Sequence, residues 1–456
     1  MSMETPREKT TARKALDTTR KVRPMIKEWN RRALEANAKG APVAYHFIES
    51  YSEDILRAMD IMTIGTENYT AICAAKQDAQ RFLDRAHAEG YASHLCSYVT
   101  CWLGFDAIYK ELGEMPPNAP DGGLARPDLM LGTGMMICDP RYKGYQASHR
   151  YTGAPVHVQG LLIPPHDANL REVEDYYIRY ITEELRGLAE FLEEHTGRKL
   201  DYDRLSEVTN LIERTFWIWN EAYALRKTVP TPMPTEDAMS TMVPGYFFMG
   251  TQQAYDFYQE LYNEVKSKVE NKIGVIPNEK YRLLWAAGIP PWFALNLFNY
   301  FETLGAVFPA EVIYYPRPPV RVEGVKHTIN GYFPPRPIEM PKGIHPLERI
   351  ARRFFKQWTY RYEKAQKHTS NPDIEMLLEM IEDYKIDGLV FHRAYTCRTM
   401  HLGELHQINI LKKYIGIPTL VLEGDLVDIR FYDEAANKAK IDAFIETVDT
   451  YKKRKG

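Results

Sequence analysis

Two separate stretches of this chain alternate short apolar runs with segments of helical period, and that alternation calls for βαβ units and a parallel sheet in each. The first stretch opens at Val43-Ala-Tyr-His-Phe-Ile and runs to about residue 160; the second resumes at Tyr281-Arg-Leu-Leu-Trp-Ala-Ala-Gly. Parallel strands are covered on both faces by their crossover helices, so they read as unbroken apolar runs rather than alternating ones. The last unit is the clearest: a strand at Gly388-Leu-Val-Phe-His, a helix through Leu402 to Tyr414, a strand at Pro418-Thr-Leu-Val-Leu-Glu and a closing helix from about Asp433 to Thr450. Between the two stretches, roughly residues 168–275 keep a helical period, as in Glu172-Val-Glu-Asp-Tyr-Tyr-Ile-Arg-Tyr-Ile-Thr-Glu-Glu-Leu.

The expected fold is therefore α/β, with two flavodoxin- or Rossmann-like parallel-sheet lobes joined by a helical segment. The chain divides into an N-terminal helical arm (1–40), a first lobe (41–167), a helical connection (168–275) and a second lobe (276–456). The arm carries Lys21-Val-Arg-Pro-Met-Ile-Lys-Glu-Trp-Asn-Arg-Arg-Ala-Leu, an amphipathic helix with a face to bury. Ser52 is placed to cap a helix with acids in its first turn. Pro290-Pro291 are expected to begin the next helix, where a missing N–H costs little. The Pro-rich stretch from Tyr315 to Pro341 reads as a long irregular surface loop, and His345-Pro-Leu-Glu-Arg-Ile-Ala again as helix.

Bulk properties exclude several classes. A formal net charge of -3 gives no electrostatic footprint for nucleic acid or a membrane surface. No apolar run approaches the ~20 residues that span a bilayer, and no signal-peptide core follows Met1. Five scattered cysteines argue against a disulfide framework, so the expected setting is reduced and cytoplasmic. Thirty Tyr and seven Trp suit large packed interfaces or aromatic-lined pockets.

Cysteine offers the chemistry. Cys96, Cys138 and Cys397 each follow a run read as strand-like: Tyr91-Ala-Ser-His-Leu, Leu129-Met-Leu-Gly-Thr-Gly-Met-Met-Ile and Asp387-Gly-Leu-Val-Phe-His-Arg-Ala-Tyr-Thr. Ligands and reactive groups collect at the carboxyl ends of parallel strands, and three thiols meeting there could hold a metal cluster with one iron left open. A lone cysteine is more often a small buried hydrophobe, the reading that fits Cys73 and Cys101. His401-Leu-Gly-Glu-Leu-His406 lacks zinc-protease spacing, since its histidines stand five apart. Gly132-Thr-Gly134 lacks the third glycine of a dinucleotide loop. No phosphate-binding G-x-x-x-x-G-K-[ST] loop and no G-x-S-x-G elbow occur. Glu423-Gly-Asp425…Asp428-Ile-Arg430 is either a strand-end carboxylate site or a loop stapled by its own Asp–Arg pair.

Taken in order, these motifs resemble the 2-hydroxyacyl-CoA dehydratase / benzoyl-CoA reductase family over nearly the whole chain beyond residue 40. Cys96-Ser, Cys138-Asp, Arg282…Ala-Gly-Ile-Pro-Pro, His345-Pro-Leu-Glu-Arg-Ile-Ala, Asp387-Gly-Leu-Val-Phe-His…Cys397 and Leu422-Glu-Gly-Asp425…Asp428-x-Arg430 carry the resemblance. Length, the charged N-terminal helix and aromatic richness are most like the larger cluster-bearing subunit of ATP-dependent benzoyl-CoA reductase. The resemblance implies one 4Fe-4S cluster per subunit, held by Cys96, Cys138 and Cys397 in the cleft between the lobes. It also implies a related cluster-bearing partner subunit, ATP-hydrolysing iron–sulfur activator subunits with ferredoxin as electron source, and a CoA thioester substrate.

On this reading the enzyme reduces an aromatic ring to a cyclic dienoyl thioester, in anaerobic aromatic degradation, with electrons at the low potential that cysteine-ligated clusters reach. His392, between a strand and Cys397, is the candidate proton donor; a histidine bonded beneath the cluster loop is the competing reading. The alternative function is a 2-hydroxyacyl-CoA dehydratase subunit using a ketyl radical. A non-catalytic scaffold or maturation partner would lose Cys138 without consequence.

Overall fold

The computed structural model describes residues 12–48, 51–133, 138–321, 337–362, 369 and 371–455. Among them are eight strands in two four-stranded sheets. The first holds β1 (Val43–His46), β2 (Met62–Gly65), β3 (Leu129–Thr133) and β4 (Val156–Gln159), in the order β2-β1-β3-β4. The second holds β5 (Tyr281–Ala287), β6 (Ala306–Glu311), β7 (Gly388–Ala394) and β8 (Thr419–Gly424), in the order β6-β5-β7-β8. Every pairing is parallel. The two lobes therefore repeat one doubly wound plan, in which the strand order reverses beside the first strand of each sheet. β1, β3 and β6 are buried along their whole length, as strands covered on both faces must be.

Four long helices fill the tract between the sheets: Leu170–Thr196, Tyr202–Ala224, Thr235–Phe247 and Gln252–Glu270. Asp201 and Thr251 cap two of them by accepting backbone N–H groups of the first turn. This tract is tied to the second sheet by a fully buried pair, Arg226 to Glu311 at 2.7 Å. It is tied to the helix Pro346–Thr359 by Arg349 and Glu213. That helix also reaches the first lobe, where Arg353 meets Asp54 at 2.6 Å. In the arm, the helix Val22–Ala38 buries Trp29, whose indole N–H donates to the Thr63 carbonyl at 2.8 Å.

Several local expectations are corrected. Tyr91-Ala-Ser-His-Leu is no strand: it is a turn between the helices Ala79–Ala88 and Ser97–Leu112, with Leu95 39% exposed. After β2 the chain runs through the helices Thr66–Ala75 and Ala79–Ala88, and this short segment only links the second of them to Ser97–Leu112. Ser52 occupies its N-cap position without a side-chain cap bond. Pro291 caps only a 3-10 turn, Trp292–Ala294. The Pro-rich segment returns to the core at both described ends, where Val320 bridges Ile338. The glycine run after Gly132 and most of that Pro-rich segment lie outside the described residues.

Candidate functional site

In a doubly wound sheet, ligands bind beyond the strand ends where the order reverses. Here both reversal points open onto one cavity of about 340 Å³. Phe47 follows β1, Cys138 follows β3, Ile289 follows β5, and Thr396 and Cys397 follow β7; all line it. Cys96 reaches the same wall from the turn before Ser97–Leu112. The three cysteines singled out in the sequence are thus brought together. Cys73 and Cys101 are buried in the first lobe and do not line the cavity.

Each of the three thiols stands at the start of a helix: Cys96 and Cys397 as N-caps, Cys138 just before Pro140–Thr152. Backbone N–H groups of Tyr98 and Val99 favour the Cys96 thiolate, that of Arg141 the Cys138 thiolate, and those of Thr399 and Met400 the Cys397 thiolate. Burial outweighs them. It pushes the Cys96 and Cys397 thiols above the ordinary range and Cys138 to about 12. Burial thus favours the neutral thiols, while the helix N–H groups favour the thiolates.

Among the described residues no three His, Cys, Asp or Glu side chains gather around a point that would hold a single metal ion. Three thiols spread around one cavity, each with helix N–H groups beside it, fit a multi-iron cluster better, because each ligand binds a different iron. The donor set and the positive helix ends both suit an anionic, thiolate-bound group.

The rest of the wall is mostly apolar, with Leu95, Val99, Leu103 and Leu426 on it. Glu67 is the carboxylate that sequence reasoning missed. It sits in the first turn of the helix Thr66–Ala75, directly after β2, and accepts the Ile48 N–H at 3.0 Å. It lines the cavity while only 9% exposed. The available signal was its place one residue beyond the helix start that follows a strand's carboxyl end. A second carboxylate on the wall, Asp139, faces Arg398 of the other lobe at 3.3 Å.

The lobes are joined beside the thiols. The Ser97 N–H donates to the Thr396 hydroxyl oxygen at 3.1 Å, and that hydroxyl donates to Asp425 at 2.6 Å. Asp425, fully buried, also accepts the N–H groups of Thr396, Val427 and Asp428. The Trp292 indole donates to the Tyr98 hydroxyl across the same seam. Asp428 instead grips Arg430, as the self-stapled reading of that loop has it.

His392 is fully buried and is not among the residues lining the cavity. Its Nδ1–H donates to the Ile289 carbonyl at 2.6 Å, and burial lowers its pKa to about 4. It holds the Ile289 turn in place from behind. Gly288 in that turn has φ +84°, and a Cβ there would stand 1.9 Å from the His392 carbonyl oxygen, so only glycine fits the Ala-Gly-Ile-Pro-Pro turn. His401 accepts the Ala394 N–H at 2.8 Å and contacts Glu404, a packing role.

A family model described as 2-hydroxyglutaryl-CoA dehydratase, D-component, matches residues 50–448. Similar proteins include lactoyl-CoA dehydratase subunit alpha of Anaerotignum propionicum, 22% identical over 91% of this chain and 93% of the relative. The (R)-phenyllactyl-CoA dehydratase alpha subunit of Clostridium sporogenes is 24% identical over 91% and 92%. A benzoyl-CoA reductase subunit of Thauera aromatica is 23% identical over 91% and 90%.

Proposed function

The chain belongs to the 2-hydroxyglutaryl-CoA dehydratase D-component family, and from that premise we propose that it is the iron–sulfur-bearing subunit of an enzyme acting on a CoA thioester. The observation that carries this reading is the convergence of Cys96, Cys138 and Cys397, from both lobes, on one largely apolar cavity. When bound there by the three thiolates, a 4Fe-4S cluster supplies electrons at low potential and one iron free of protein ligands.

The chain's own residues do the rest. The apolar wall keeps water from a reactive radical. Glu67 is the acid or base at the reacting carbons, being a carboxylate on the wall with its orientation fixed by the Ile48 N–H. His392, neutral and behind the wall, orients the Ile289 turn; a direct part in proton delivery needs a relay.

Dehydration of a 2-hydroxyacyl thioester is the first reading, supported by the lactoyl-CoA and phenyllactyl-CoA dehydratase relatives and by a carboxylate poised to move a proton. Reduction of an aromatic acyl ring is the second. Similarity to the benzoyl-CoA reductase chain and the aromatic side chains of Phe47, Tyr91 and Tyr98 on the wall favour it. In either case the chain works with a related subunit and takes electrons from an ATP-hydrolysing activator fed by ferredoxin. Several relatives are themselves described as subunits.

The test is anaerobic purification followed by iron, sulfide and electron counting. About four iron and four sulfide per chain are expected on the three-thiolate reading. A dehydratase needs electrons only in catalytic amounts, whereas a reductase consumes two per product. Active protein free of iron would overturn the reading.

A further inference from the structure

Among the described residues, one buried charged side chain beside the cavity, that of Arg141, forms no ion pair. Arg141 lies in the first turn of Pro140–Thr152, three residues beyond Cys138, and is 3% exposed. Its Nη2 donates to the Ile48 carbonyl, and its guanidinium carbon lies 5.3 Å from the centroid of the Phe47 ring on the cavity wall. Its Nη1 has no hydrogen-bond partner, and Arg141 forms no ion pair among the described residues. The Ile48 peptide links Arg141 to Glu67. Its N–H binds Glu67 and its carbonyl binds Arg141, so one peptide unit stands between the two.

A guanidinium stays charged under all ordinary conditions. Buried charges are normally paired, because desolvating one without compensation is strongly unfavourable. Among the described residues nothing pairs with this one, so its free N–H and its charge are open to an anion bound beside it.

We propose that Arg141 is the built-in counter-charge for the thiolate-bound cluster and sets its reduction potential. The inference rests on the reading of the three cysteines as ligands and goes beyond it in naming what tunes the group they hold. Three thiolates outweigh the positive charge of a 4Fe-4S core, and each electron accepted adds a further negative charge. A fixed cation and an N–H donor nearby favour the reduced state, since net charge and hydrogen bonds to sulfur are among the terms that set cluster potentials. Arg141 touches neither substrate nor reacting atoms on this view; it is a positioning residue acting through the cluster.

The experiment compares the full-length chain with R141Q and R141K, purified anaerobically, by iron content, circular dichroism and an EPR-monitored potentiometric titration. R141Q is expected to keep its fold and shift the midpoint to more negative potential, with R141K close to the unmodified chain. If R141Q folds but loses iron while R141K retains it, the counter-charge role is likewise upheld. A midpoint unmoved in iron-replete R141Q overturns the inference, as does equal loss of iron from both variants, which would assign the side chain's shape rather than its charge. Absence of iron from the unmodified chain would instead overturn the reading of the cysteines.

Discussion

The Ser97 backbone N–H and the Thr396 hydroxyl oxygen are 3.1 Å apart, so the residue after Cys96 hydrogen-bonds the residue before Cys397. One small side chain sets how two thiols from different lobes face each other, and Asp425 holds that side chain in turn. T396V keeps the shape but removes an acceptor from a buried N–H and a donor from a buried carboxylate. It should cost about 1–3 kcal/mol and reduce bound iron, while T396S retains both. Thermal unfolding and iron analysis read the result; a T396V protein equal to the unmodified one would detach Thr396 from the site.

Replacing each thiol separates ligands from core cysteines. C96A, C138A and C397A are expected to lose iron and the cluster's visible absorbance while keeping their far-ultraviolet circular dichroism. C73A and C101A should keep their iron, because those thiols sit away from the cavity.

E67Q preserves volume and removes the charge and basicity of the wall carboxylate. A positioned acid or base contributes about 10²–10⁴-fold, so kcat should fall by that order with iron content unchanged. Steady-state kinetics on the anaerobic complex provide the measurement, and an unaltered kcat would remove Glu67 from the chemistry.

His392 should make the fold acid-sensitive. Burial, partly offset by the bond to Ile289, lowers its pKa from the ordinary 6.5 to about 4. The folded state therefore binds fewer protons than the unfolded chain between those values. Its contribution is complete above pH 6.5 and is lost as pH falls towards 4, up to roughly 3 kcal/mol. In urea unfolding at about pH 7 and pH 4.5, on either side of most of that window, the unmodified chain should lose more stability than H392N. Equal losses would show that the imidazole does not resist protonation.

The sheets were legible because short apolar runs such as Leu389–Phe391 and Leu420–Leu422 follow turn residues, Gly388 and Pro418. The repeated strand order is a relation between distant segments, which no local pattern carries. Tyr91-Ala-Ser-His-Leu misled because alternating apolar residues also occur in exposed turns, and nothing local says whether a sheet edge is waiting. Cys138 and Cys397 could be placed from the strands before them. Glu67 could not be singled out from Thr66-Glu-Asn-Tyr, an ordinary helix start, until Ile48 and the cysteines were seen around it. Arg141 reads as a surface base in sequence, since burial without a partner is invisible there.

The seam between Ser97 and Thr396 also dictates an order of events at the ribosome. Asp139 and Arg398, the residues just beyond Cys138 and Cys397, are 259 positions apart in the chain. At about 5–20 residues per second, Cys138 emerges roughly 13–50 s before Cys397. Throughout that interval the first sheet can be finished while its half of the cavity faces solvent with two thiols and no opposite wall. The three-thiol site is thus completed only when Cys397 emerges, so the exposed thiols must be kept reduced through the interval and the cluster can be held by all three only late in synthesis.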